Sequence, residues 1–238
     1  KHLVYLLIGL VLTFLSLAGP LQLDGNHITL FWAAECVLLL WFSQRTGIRL
    51  VERASMLVVV LMLISLLMDL AHHYGEVPLV RLIPVLNKAW ITGMAAAIAL
   101  YLYGRVCTLL PADRDIVPGL SPKVLRTIAW ILCAAVAYGV NFLEIGHQLG
   151  FVLGPNVVVM ALTAYSLGAF AMMYLLARNG TGPLRIAVLV LLVCGLLYYI
   201  TGFYSNSLHT LLDLRTGMDA PGFAVLHITA LACAILAV

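Results

Sequence analysis

Charged side chains are scarce in this sequence. Lys, Arg, Asp and Glu make up 10% of the 238 residues, whereas 63% are hydrophobic. Ordinary soluble domains are about 25% charged and about 45–50% apolar. The apolar residues form runs of about 16–25 residues, the length that a helix needs to cross a bilayer core of about 30 Å. The composition therefore excludes an ordinary soluble domain and predicts an integral membrane protein with the lipid bilayer as its main partner.

The apolar runs also lack the period-two alternation of barrel strands, so each run is predicted to be a helix. The predicted fold class is all-α, a polytopic membrane helix bundle of about eight transmembrane helices, with residues 1–238 as a single transmembrane domain. The first apolar run begins directly after Lys1 and His2, and the last one stops mid-run at Val238, so we expect a fragment of a longer polytopic protein. The predicted helices lie near residues 3–19, 28–42, 54–74, 89–110, 124–149, 156–177, 183–204 and 222–238.

Several common motifs are absent. All five cysteines lie in apolar runs and no CxxC pair occurs, which excludes a disulfide framework and a cysteine metal cage. The sequence has no HExxH motif, no phosphate-binding glycine loop and no nucleophile elbow. The chemistry of the protein must therefore be inferred from individual polar residues.

Basic residues are unevenly distributed between the predicted loops. With a cytoplasmic N-terminus, ten of the 13 Lys and Arg residues fall in inner segments, leaving Arg81, Lys88 and Arg215 outside. Cytoplasmic loops are enriched in Lys and Arg, so this split predicts that both termini are cytoplasmic. The net charge of +3 then reflects membrane orientation, and we predict no nucleic-acid partner.

Two segments repeat an acid-x-x-histidine pattern. MDLAHHYG contains Asp69 and His72, and LEIGHQLG contains Glu144 and His147, so equivalent residues are 75 positions apart. Both segments end a helix that is predicted to run outward, which indicates a possible internal repeat. Residues three or four apart share a helix face, so each pair can present two ligands, or an acid and a base, in one direction.

A third and looser copy contains His209 and Asp213, and two interpretations of the three copies stay open. In the structural interpretation, the polar residues simply lie where the helices leave the lipid. Histidine suits a helix C-terminus, but Asp69 and Glu144 face the negative end of the helix dipole and need a partner. Arg81, Lys88, Arg215 or a histidine is the expected partner.

In the functional interpretation, the outer residues form a catalytic or metal-binding centre. A set of carboxylates and imidazoles suits zinc or another divalent ion. The candidate catalytic residues are Asp69, His72, Glu144 and His147, together with Glu35 and Asp24, and the candidate metal ligands are His72, His147, His209 and Asp213.

Glu35 lies near the middle of the second predicted helix. An ionised carboxylate at that depth costs at least about 2.5–3.5 kcal/mol, so Glu35 is expected to be protonated or to face a polar interior. We expect His227 or Asn141 as its partner. The functional interpretation is a proton relay or an ion site, and the structural one is a neutral acid that bonds between helices.

The stretch from Pro20 to Gly47 carries an Asp24-Gly25 turn, then Trp32-Ala33-Ala34-Glu35 and a second tryptophan, Trp41. In these features it resembles a bacterial family of large predicted multi-pass membrane proteins known only as a domain of unknown function. The resemblance implies a polytopic protein of the bacterial inner membrane and supplies no activity.

Three functions follow from these patterns. The acid and histidine residues favour a cell-envelope enzyme that acts at the outer face on a lipid-linked substrate. In that case Asp24 resembles the acidic residue in the first outer loop of polyprenyl-linked glycosyltransferases. Glu35 and the possible repeat favour a proton- or ion-coupled transporter. A structural or scaffolding subunit that binds other membrane subunits is the third alternative.

Overall fold

The computed structural model describes residues 2–23, 25–75, 83–110, 120–152 and 155–177, together with Leu197 and Ile228. The regular elements within these residues are all α-helices. They are α1 (His2–Gln22), α2 (Asn26–Thr46), α3 (Arg49–Tyr74), α4 (Lys88–Cys107), α5 (Pro122–Gly150) and α6 (Pro155–Ala177).

The first six predicted helices are therefore present, although their ends differ from the apolar runs. The largest difference is at α3, which begins at Arg49 instead of residue 54, because a charged first turn is helical without being apolar. Helix α5 begins at Pro122, a residue type that suits the first helical position. The two predicted helices near 183–204 and 222–238 lie outside the described residues, so the total of eight and the internal repeat stay predictions.

Four of the described helices, α2, α3, α4 and α5, are long and apolar enough to cross a membrane. Large apolar side chains such as Leu38, Leu57 and Leu67 are exposed on these helices. In water this exposure would be unfavourable, whereas in lipid it is not. The helices therefore support an integral membrane protein.

The chain divides into two compact units, Lys1–Asn141 and Phe142–Val238. In the first unit α2 packs against α3 and α4, and buried apolar side chains from these three helices and from the first turns of α5 form its core. Helix α1 packs against α2 and α3. Gly93 lets α4 approach α5 closely, since a Cβ atom at this position would clash with the side chain of Val140.

A short connection sets how α2 and α3 face each other. Gly47 ends α2 with φ 71°, and its N–H donates to the Ser43 carbonyl at 2.7 Å. This left-handed conformation favours glycine, and it lets α3 start two residues later and run back along α2. The start of α2 therefore lies beside the end of α3.

The second unit contains the last turns of α5 and the whole of α6. Gly146 of α5 faces the Leu162 side chain of α6. The buried residues of α6 recur every three or four positions, so one face of the helix is covered. They are Thr163, Leu167, Ala171 and Tyr174.

Candidate functional site

Glu35 is a buried acid in the middle of α2. Its side chain is 6% exposed, and the Ser16 hydroxyl of α1 donates to Oε1 at 2.5 Å. The second oxygen, Oε2, is buried and has no hydrogen-bond partner among the described residues. The indole N–H of Trp32 donates to the Ser16 backbone carbonyl at 3.3 Å, which fixes Ser16 against α2. Glu35 thus lies at the α1–α2 contact, and one of its two carboxyl oxygens has a hydrogen-bond partner among the described residues.

The partner of Glu35 differs from the prediction. The expectation that Asn141 bonds to Glu35 is wrong, because the Asn141 amide bonds elsewhere. Its oxygen accepts from the Trp90 indole at 3.2 Å, and its nitrogen donates to the Ala137 carbonyl at 2.8 Å. The other expected partner, His227, lies outside the described residues. A serine on a neighbouring apolar helix carried no signal that linked it to Glu35.

Asp69 lies at the contact between α3 and α2. Its side chain is 9% exposed, and the Thr29 hydroxyl donates to Oδ2 at 2.6 Å. The Thr29 oxygen also lies 2.7 Å from the Ser65 hydroxyl. Asp69 therefore does have a partner, as its unfavourable position in the last turn required. Among the described residues that partner is a hydroxyl group of another helix and not a basic side chain.

The histidines after Asp69 have different surroundings. His72 is exposed, and its ring meets the His73 ring edge to face with centroids 5.4 Å apart. Nδ1 of His73 lies 2.8 Å from the backbone carbonyl of Asp69. Asp69 and His72 therefore share a helix end but differ in burial.

The second copy of the pattern lies in the second unit. Glu144 is 5% exposed, and the Gln148 amide one turn later donates to its Oε1 at 3.0 Å. His147 is half-buried, with its ring 5.2 Å from that of Phe151. Gln148 bonds to Glu144 from the same helix, and Thr29 bonds to Asp69 from a neighbouring one.

The remaining candidates, Asp24, His209 and Asp213, lie outside the described residues. Within the described part of the chain, no group of three or more His, Cys, Asp or Glu residues is placed to hold a metal ion. The zinc site that combines His72, His147, His209 and Asp213 therefore stays a prediction.

A further buried acid, Glu52, was missed by the sequence reasoning. It lies in the first turn of α3, where a negative charge is favoured by the helix dipole, and it is 2% exposed. The next turn carries Ser55, whose hydroxyl donates to the Glu52 carbonyl at 2.7 Å and lies 3.0 Å from the Tyr103 hydroxyl of α4. The available signal was a lone acid between Arg49 and Arg53.

Comparisons with protein-family models, with curated proteins and with solved structures found no match. The arrangement of the side chains is therefore the basis for assigning a function.

Proposed function

We propose that this chain is a membrane transporter that moves protons, in which Glu35 carries the proton. The observation that supports this most is the environment of its carboxyl group. Glu35 is buried in the middle of a membrane-spanning helix, and one of its two oxygens has no partner among the described residues. Ionisable residues at that depth are functional candidates by default.

A proton is the ligand that best fits this environment. No described side chain forms an ion pair with Glu35, and Ser16 is its hydrogen-bond donor. A buried charge without a counter-charge is costly, so the carboxyl group is neutral while the site is closed. In the neutral acid one oxygen accepts from Ser16 and the other holds the proton.

Transport then follows from access of water to the site. When water reaches Glu35 from one side, the ionised form is solvated and the proton leaves. When the site closes, the carboxyl group must take up a proton again. A change in the α1–α2 contact, where Ser16 meets Glu35, is the step that we expect to control this access.

The proposal is tested by proton flux into liposomes that contain the purified protein and a pH-sensitive dye. A potassium gradient with valinomycin supplies the driving force. We expect the wild-type protein to acidify the vesicles faster than protein-free liposomes, and Glu35→Gln to remove the additional flux, because the amide cannot carry a proton.

Glu52→Gln is the matched control, since Glu52 is an equally buried glutamate at the end of another helix. It should retain the flux if the variant protein is folded. Flux no faster than in protein-free liposomes, or an undiminished rate in Glu35→Gln, would contradict the proposal.

A cell-envelope enzyme that acts on a lipid-linked substrate is a second candidate. It is supported by the burial of Glu144 one turn from His147 in α5, because a simple headgroup anchor would be solvated. If this pair contributes to a divalent-metal centre, zinc should bind the wild-type protein and bind more weakly to His147→Ala. Calorimetric titration measures this, and an equal affinity in both proteins would remove the support. A scaffolding role predicts that neither activity is found.

We also propose in which membrane the protein lies and how it is oriented there. The resemblance of residues 20–47 to the bacterial multi-pass family supports the bacterial inner membrane, and the basic residues support cytoplasmic termini. Alkaline phosphatase fused after Gly75 should be active outside the cytoplasm, whereas fusion after Thr46 should be inactive. The reverse pattern would invert the orientation.

A further inference from the structure

A cluster of side-chain oxygen atoms lies between α2 and α3. The Thr29 hydroxyl, which is fully buried, lies 2.6 Å from Asp69 Oδ2 and 2.7 Å from Ser65 Oγ. Three oxygen atoms from three side chains therefore meet in one place. Thr29 is the donor to the Asp69 carboxylate among the described residues, and no described basic side chain pairs with it.

A fourth polar group lies on the same face of α2. Asn26 precedes Thr29 by three positions, so the two side chains are neighbours on one face of the helix. Asn26 is 8% exposed, and its Nδ2 has no hydrogen-bond partner among the described residues. Buried amide groups are rarely left unpaired, so the Asn26 side chain has hydrogen-bonding capacity that the described residues do not use.

The Asn26 amide has two orientations. Rotation of its terminal group exchanges nitrogen and oxygen, and the two atoms have nearly the same shape. In the rotated orientation an acceptor oxygen replaces the unpaired nitrogen. The face of α2 that meets Ser65 and Asp69 then offers a set of oxygen donors.

We propose that Asn26, Thr29, Ser65 and Asp69 form a sodium-binding site between α2 and α3. Oxygen-rich sets of carboxylate, hydroxyl and amide groups suit hard cations. The set carries one formal negative charge, so a monovalent cation neutralises it, whereas a divalent ion leaves an uncompensated positive charge in a buried place. Because the oxygens are already close together, a small ion separates them less than a large one.

This site goes beyond the proposed proton transport and does not depend on it. Glu35 bonds to Ser16 of α1, whereas the sodium site uses the contact of α2 with α3. Loss of proton flux in Glu35→Gln therefore leaves sodium binding unaffected, and the failure of one proposal is distinguishable from the failure of the other.

The experiment is the thermal unfolding of the purified protein in sodium, potassium or choline chloride at equal ionic strength. A ligand that binds only the folded state raises the Tm as its concentration increases. We expect sodium to raise the Tm by about 2–4 °C relative to choline, in a saturable manner, and potassium to act more weakly. Asp69→Asn should abolish the sodium response, because it removes the charge and keeps the shape.

Ser65→Ala and Ser55→Ala form the matched pair. Both serines lie on α3, but Ser55 bonds to Tyr103 and not to the proposed site. Ser65→Ala should raise the sodium concentration at half-effect by about tenfold, as expected for the loss of one good ligand contact, and Ser55→Ala should leave it unchanged. If Asp69→Asn does not fold, the comparison of Ser65→Ala with Ser55→Ala still tests the sodium site. Equal Tm values in sodium and choline, or equal sodium responses in Ser65→Ala and the wild type, would overturn the proposal.

Discussion

Glu35 and Asp69 are buried acids at two different contacts of α2, and their surroundings differ. Glu35 belongs to α2 itself and meets α1, where Ser16 satisfies one oxygen and the other is left without a described partner. Asp69 belongs to α3 and meets α2 through Thr29, which is itself bonded to Ser65. Glu35 lies in the middle of its helix, whereas Asp69 lies in the last turns of α3.

The difference indicates which ligand each acid can hold. A neutral acid carries no charge, so burying Glu35 beside the single donor Ser16 costs far less than burying an ionised carboxylate there. A charged carboxylate needs several donors or a cation, and Asp69 has one described donor, Thr29, with a second hydroxyl oxygen, that of Ser65, next to Thr29. We therefore assign a proton to Glu35 and a monovalent cation to Asp69. The following substitutions test this comparison, from the largest expected effect to the smallest.

The largest effect is expected for Thr29→Val. Valine keeps the shape of the side chain but removes the hydroxyl that bonds to Asp69 and Ser65. A buried carboxylate then loses its described donor, so the free energy of unfolding should fall by about 2 kcal/mol. Denaturant unfolding in mixed micelles measures this change. A loss smaller than that caused by Ser16→Ala would indicate that Asp69 is neutral.

A smaller effect is expected for Ser16→Ala. This substitution removes one hydrogen bond to a neutral acid, which in membrane proteins contributes about 0.6 kcal/mol and at most about 1.7 kcal/mol. The bond from Trp32 persists because it uses the Ser16 backbone carbonyl. The same unfolding assay gives the value. A loss well above this range would mean that the Ser16 hydroxyl stabilises a charged Glu35.

The smallest effect on stability is expected for Glu35→Gln, at about 0.5 kcal/mol or less, because the amide resembles a protonated acid in shape and charge. Were Glu35 ionised in the folded protein, replacing its charge would stabilise the fold by about 2 kcal/mol or more. The unfolding assay at neutral pH separates these outcomes. The substitution should thus remove proton flux while leaving the fold intact.

Helix positions were predictable because membrane crossing imposes one length and one composition. The apolar runs located α1 to α6. The start of α3 was misplaced because hydropathy detects lipid-facing residues, whereas the charged turn from Arg49 to Arg53 extends the helix beyond them. The connection at Gly47 then set which turns of α2 and α3 lie side by side.

The polar partners were less predictable. The position of Glu35 in the middle of a helix followed from the sequence, and so did the need of Asp69 for a partner. Their partners Ser16 and Thr29 did not, because the rotation and register of packed helices decide which side chains meet across a contact. Glu52 was missed for a related reason, since its burial depends on how the first turn of α3 packs.

The most direct test of the account is the protonation state of Glu35 in the membrane. Infrared spectra of the wild-type protein and Glu35→Gln in lipid at neutral pH give the difference due to this one carboxyl group. We predict that the wild type has a carbonyl band of a protonated carboxylic acid that is missing from the variant. A difference confined to the bands of an ionised carboxylate would contradict the assignment of a proton to Glu35.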